Sequence, residues 1–144
     1  MTQKQKLFSK FFKTMIKMRK VLDETIDASD DSKVSTLLQM QALEQIEKHS
    51  QLTAGELASA LNMSSSALTQ LTDRMISAKL ISRIDSKTDR RLVYLKLTNV
   101  GKKHFQKTMK SIESKTSKIL EPIAEKDLKE VVRIFSEFLT KYEN

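Results

Sequence analysis

The sequence predicts a mainly α fold with a small β-wing, and three observations carry that prediction. Gly occurs only twice and Pro once in 144 residues, so breakers are scarce and long helices are expected. Apolar residues recur at three- and four-residue steps along most of the chain. Residues 80–97 break that rhythm: two runs alternate apolar and polar residues around a charged turn. A short helix, a tight turn, a second helix and this hairpin, between Thr53 and Thr98, make the order of a winged helix-turn-helix. Helices on both sides of it, at the N- and C-terminal ends, are expected to dimerise.

The length is that of one domain, 1–144. Within it, 1–33 and 120–144 are expected as dimerisation helices, 34–98 as the winged helix-turn-helix region and 99–119 as a connecting helix. A net charge of +8 favours an anionic partner, nucleic acid or membrane surface; a basic surface kept for solubility is the plainer alternative. The absence of Cys excludes disulfides and thiolate metal sites, and two His make a structural zinc site improbable, so no metal or cofactor is expected. No apolar run approaches the ~18 residues of a membrane span. The opening MTQKQKLFSKFF is too broken by Lys for a signal-peptide core, so a soluble cytoplasmic protein is expected.

Residues 4–26 read as an amphipathic helix, with Phe8, Phe11, Phe12, Met15, Leu22 and Ile26 on one face. Its other side carries Lys4, Lys6, Lys10, Lys13, Lys17, Arg19 and Lys20, with no acid before Asp23. Such a helix can lie on a membrane, but a face rich in Phe and Met more often packs on protein. Residues 28–33 (ASDDSK) read as a loop. The next helix, 34–48, buries Leu37, Leu38, Met40, Ala42, Leu43 and Ile46 across more than one face, as a central core helix does. An extended piece at 50–52 is placed to join the hairpin as a third strand.

Thr53 and Glu56 have capping-box spacing, which starts a short helix whose inner face is Leu57, Ala58 and Leu61. Asn62 and Met63 form the turn. Ser64 caps the next helix, expected to reach Ala78. Ala67, Leu68, Leu71, Met75 and Ile76 face inward, while Ser65, Ser66, Thr69, Gln70, Asp73 and Arg74 face out. Small hydroxyl residues at a helix start let the backbone approach a phosphate, and the exposed amides attract an anion. Thr69 and Gln70 can hydrogen-bond base edges, Gln bidentately to adenine. Alone this is an ordinary polar helix face; the basic hairpin after it gives it meaning.

That hairpin is expected at 80–85 and 91–97, with Leu80, Ile81, Ile84, Val93, Leu95 and Leu97 inward and 86–90 as its tip. From Lys79 to Arg91 there are five cations against two acids. Arg suits a narrow minor groove, where the potential is most negative. Asp89 and Arg91 would project to one side of an extended strand, where the carboxylate can orient the guanidinium. A helix in the major groove beside a basic hairpin at the minor groove is a device for gripping duplex DNA. The binding surface read from these residues comprises Ser64, Ser65, Ser66, Thr69, Gln70 and Arg74 on the helix. On the wing it comprises Lys87, Thr88, Asp89, Arg90 and Arg91.

The run from Ala58 to Gly101 resembles the MarR family of bacterial winged-helix regulators. The most specific part is Arg83, Asp85, Asp89-Arg90-Arg91, Leu97-Thr98 and Gly101. The resemblance implies an obligate homodimer on a palindromic double-stranded operator, with Arg91 contacting DNA and Asp89 orienting it. It also implies repression of nearby genes, often relieved by a small organic ligand; separately, with no Cys, Gly-rich phosphate loop, metal cluster or Ser-His-Asp arrangement, no enzymatic activity is expected. Lys79 departs from the family, which commonly has Gly before the first wing strand. The lack of Cys removes the peroxide-sensing branch.

Thr98 is expected to cap a helix to Leu120 whose buried side is Val100, His104, Phe105, Met109, Ile112, Ile119 and Leu120. Pro122 breaks it. A last helix from Glu125 carries Leu128, Val131, Val132, Phe135, Phe138, Leu139 and Tyr142 as one stripe, more than a small core needs. With the Phe-rich first helix it reads as a dimer interface. In the family an effector pocket lies between the dimer helices and the winged region, and by location Met15, Met18, Met40, His49 and Phe105 are its candidates. No active-site constellation is present: Asp30 and Asp31 pair in a polar loop where nothing raises a carboxyl pKa.

Overall fold

The computed structural model describes residues 1–27 and 36–142. The loop expected at 28–33, with Asp30 and Asp31, lies outside the described residues, as does Val34. The elements are α1 (Gln3–Asp27), α2 (Thr36–Lys48), β1 (Leu52–Thr53), α3 (Ala54–Ala60), α4 (Ser65–Ser77), β2 (Ile81–Asp85), β3 (Val93–Leu97), α5 (Asn99–Leu120) and α6 (Glu125–Tyr142). The order and type of elements are those expected.

Local chemistry sets the boundaries. Thr53 accepts the Glu56 N–H through its hydroxyl at 3.2 Å, and the Thr53 N–H donates to the Glu56 carboxylate at 2.8 Å, which completes the capping box. Ser64 caps α4 by accepting the Ala67 N–H at 3.2 Å. Thr98 caps α5 by accepting the Gly101 N–H at 2.9 Å. Helices α3 and α4 both end by turning into the left-handed region, at Asn62 (φ 52°) and Lys79 (φ 60°). At each end the next residue donates back to the helix: Met63 to the Ala58 carbonyl and Leu80 to the Met75 carbonyl, both at 2.9 Å.

The three strands form an antiparallel sheet in the order β1-β3-β2. Leu52 sits opposite Leu95, so the short extended piece does join the hairpin, as Leu52–Thr53 in place of the expected 50–52. Ile81 pairs with Leu97 and Arg83 with Leu95. Under the sheet lies one core: Leu43 of α2, Leu57 of α3, Leu68 and Met75 of α4, Ile81 and Leu95 are fully buried. Thr72 is the one polar residue buried with them among the described residues, and its hydroxyl donates to the Thr69 carbonyl.

Three expected core residues are not in the core. Ile84 is 42% exposed because β2 alternates: Ile81 points in, so Ile84, three residues on, points out beside Tyr94. Val93 shares a face with Leu95 and Leu97 but pairs with Asp85, past the end of the core, and is 37% exposed. Val100 lies on the solvent side of α5, and Gly101 takes the buried position instead. No helix among the described residues is long and apolar enough to cross a membrane.

Candidate nucleic-acid interface

Helix α4 presents the face that the sequence assigns to readout. Ser64, Ser65, Ser66, Thr69, Gln70, Asp73 and Arg74 are all exposed, and Leu68, Leu71 and Met75 anchor the opposite side. The hydroxyls are not equivalent. Ser64 spends its oxygen on the cap and lies 3.3 Å from the Ser66 hydroxyl. The Thr69 hydroxyl donates to the Ser65 carbonyl at 2.8 Å, so toward a base edge it is left with acceptor capacity. Gln70 and Arg74 are bound to no other side chain among the described residues, and keep their full donor sets.

The wing tip is ordered by its own side chains. The Ser86 hydroxyl accepts the N–H groups of Thr88 (3.2 Å) and Asp89 (3.1 Å). The Ser86 N–H donates to the Leu92 carbonyl, and the Leu92 N–H to the Asp89 carbonyl, both at 3.0 Å. Asp89 accepts the Arg91 N–H at 3.0 Å and the guanidinium at 3.2 and 3.4 Å. The expected Asp89–Arg91 pair therefore forms, but in a turn and not along an extended strand, since β3 begins only at Val93. The Arg91 backbone N–H, and after it the guanidinium, hold the Asp89 carboxyl below its ordinary pKa. The carboxylate thus stays charged, and the ordering it provides is lost only as pH falls through the carboxylate range. Lys87, Thr88, Arg90 and Arg91 are exposed around it.

Two features of this region were not readable from spacing. Arg83 of β2 donates from Nη2 to Oδ1 of Asp73 on α4 at 2.9 Å, which ties the wing to α4. The second is the corner where α4, β2 and α5 meet. The Thr98 hydroxyl reaches the Lys79 carbonyl at 2.5 Å and the Leu80 carbonyl at 3.1 Å. A Cβ at Gly101 would stand 1.9 Å from the Leu80 oxygen, so only glycine permits this approach of α5. Its signal was the Leu97-Thr98 and Gly101 pattern, whose physical content is this contact.

The five effector-pocket candidates are not brought together. Met15 and Met18 line a cleft of about 480 Å³ with Leu22, Leu37, Leu38 and Leu61, and Arg19 and Asp23 also line it. Met40 is buried in the winged core, Phe105 packs on that core from α5, and His49 is exposed beyond the end of α2. Met40 and Phe105, named by location, are placed by the structure in and against the core. Among the described residues no cluster of three or more acidic or His side chains is placed to hold a metal ion.

Comparison with known proteins agrees with this geometry. A sequence model described as MarR family matches residues 35–92. The HTH-type transcriptional repressor MdtR of Bacillus subtilis (strain 168) is 26% identical over 116 residues, which cover 81% of this chain and 74% of that protein. A MarR family protein from Bacillus stearothermophilus has the same fold, with a TM-score of 0.77, 18% identity and coverage of 100% and 99% of the two chains. The apo form of wild-type MarR from E. coli superposes with a TM-score of 0.73 at 19% identity, over 89% of this chain and 94% of that one. An exposed polar face on α4 and a basic, self-ordered wing on one core, together with these matches, make the chain similar over residues 35–92 to the MarR family of winged helix-turn-helix transcriptional regulators, and the regulators it matches support a DNA-binding regulator.

Proposed function

We propose that the chain works as a homodimeric, sequence-specific repressor that binds a palindromic operator and is released from it by a small organic effector. The observation that carries the reading is the exposed polar face of α4 together with an Asp89-ordered Arg91 on the adjoining wing. Ser64, Ser65, Ser66, Thr69, Gln70 and Arg74 serve the major groove. Lys87, Thr88, Arg90 and Arg91 serve the wing contact, and Asp89 aims Arg91. Repression follows the naming of the MdtR relative as a repressor.

Dimerisation is supported by apolar surface that one chain leaves open. Phe8, Phe12, Val132 and Phe138 are each more than half exposed, and α6 buries no residue. Phe11 and Phe135 stack at 6.1 Å, so α1 and α6 form one continuous terminal surface. The effector reading rests on the cleft between α1 and α2. Its volume suits a small ligand, and its Met and Leu walls adapt to varied apolar shapes.

Selection of bound sequences from a random duplex pool tests the function. The expected result is a palindrome with half-sites about one helical turn, ~10 bp, apart. Arg91→Ala should abolish binding to it while thermal unfolding stays unchanged. Normal binding by that variant would remove the wing from the interface.

A further inference from the structure

We propose that Asp73 and Arg83 form a second aiming pair, with Asp73 holding the Arg83 guanidinium in the notch between readout helix and wing so that it meets a backbone phosphate. The inference rests on the DNA-binding reading and adds to it a contact and a positioning residue.

Asp73 lies one turn after Thr69 and Gln70 on the exposed face of α4. An unpaired carboxylate there would repel the phosphates that this face must approach. The structure neutralises it with Arg83, which reaches across from β2. The two side chains are 52% and 58% exposed, so the pair contributes little to folding and a purely stabilising role is a poor account of it. Arg83 spends only Nη2 on the pair; Nε and Nη1 have no acceptor among the described residues. A guanidinium held on one edge by a carboxylate and open on the other is preorganised to receive a phosphate oxygen. The wing tip repeats the device, with Asp89 holding Arg91. The hairpin thus carries one Asp-held Arg at its base and one at its tip, each beside a separate DNA-facing element. Between the grooves that those elements enter, duplex DNA presents its phosphate backbone.

The test measures binding of the full chain to its selected duplex over a series of salt concentrations, with Asp73→Asn, Arg83→Ala and Arg91→Ala. Loss of Arg83 should weaken binding about tenfold and lower the magnitude of the salt slope by about one, the signature of one lost phosphate contact. Asp73→Asn separates positioning from simple charge. Removing a negative charge from a DNA-facing helix should tighten binding if only charge counts; loss of the aim should weaken it several-fold. Tighter or unchanged binding by Asp73→Asn overturns the inference. So does an Arg83→Ala variant that keeps the full salt slope. Thermal unfolding of both variants should match the parent, since the pair is exposed. If the parent chain selects no duplex, the DNA-binding reading itself fails. If Arg91→Ala loses binding while Asp73→Asn and Arg83→Ala do not, this inference alone fails.

Discussion

The winged region and the terminal helices are similarly rich in apolar residues, yet the structure treats them in opposite ways. Between α2 and β3, Leu43 and Leu57 have no exposed surface at all, and Met75 packs with them just as completely. Along α1 and α6, Phe8 is 68% exposed and Phe138 is 58% exposed. Helix α6 touches the rest of its own chain only sparsely. The difference teaches where one chain is finished and where it is not. Three helices and a three-stranded sheet close a core around themselves. The terminal helices carry apolar stripes that the other described residues leave largely open, and hydrophobic surface of that extent calls for a partner.

Mutations on the two sides of this divide should have different readouts. The largest effect on folding belongs to Leu57→Ala, which leaves a cavity in the closed core and should cost about 2–5 kcal/mol in denaturant unfolding at fixed protein concentration. Phe138→Ser should change the stability of a monomer far less, and should instead raise the dimer dissociation constant by tenfold or more in sedimentation equilibrium. If Phe138→Ser unfolds the chain as Leu57→Ala does, the divide drawn here is wrong.

The corner that joins the winged region to α5 should give intermediate effects. Gly101→Ala drives a methyl into the Leu80 carbonyl and should destabilise by about 1–3 kcal/mol, with α5 pushed off the wing. In the proposed homodimer, DNA binding should fall with it, because α5 would set the spacing of the two copies. The smallest effect, and the one of opposite sign, belongs to Lys79→Gly. Lys79 holds a left-handed backbone that costs a non-glycine residue about 1 kcal/mol. Glycine relieves that strain but adds freedom to the unfolded chain, so a net gain of up to about 1 kcal/mol in unfolding free energy is expected. A loss of stability would show that the Lys79 side chain makes a contact worth more than the strain.

The departure at Lys79 illustrates how sequence and structure divide the work. Lys79 stands where the family commonly has Gly, and the chain adopts a left-handed backbone there without the glycine. The hairpin shows the opposite case. Its alternation located both strands, but the inward set joined residues from both faces, since Ile81 and Ile84 differ by an odd number of positions. The effector candidates divide for another reason: a Met or Phe looks the same in sequence whether it lines a cleft or fills a core. Met15 and Met18 line the cleft, whereas Met40 and Phe105 belong to the core.

Local signals were sufficient wherever the physics is local. Capping at Thr53, Ser64 and Thr98, the helical periods, and the Asp89–Arg91 pair two residues apart all depend on neighbours in the chain, and the sequence alone determined them. Contacts between distant residues were decided only by the tertiary structure. Asp73 meets Arg83 because α4 and β2 pack side by side, and Gly101 matters because α5 returns to within contact of Leu80. Which apolar stripes are buried was decided there too, since periodicity shows that a face seeks cover but not whether the chain itself supplies it.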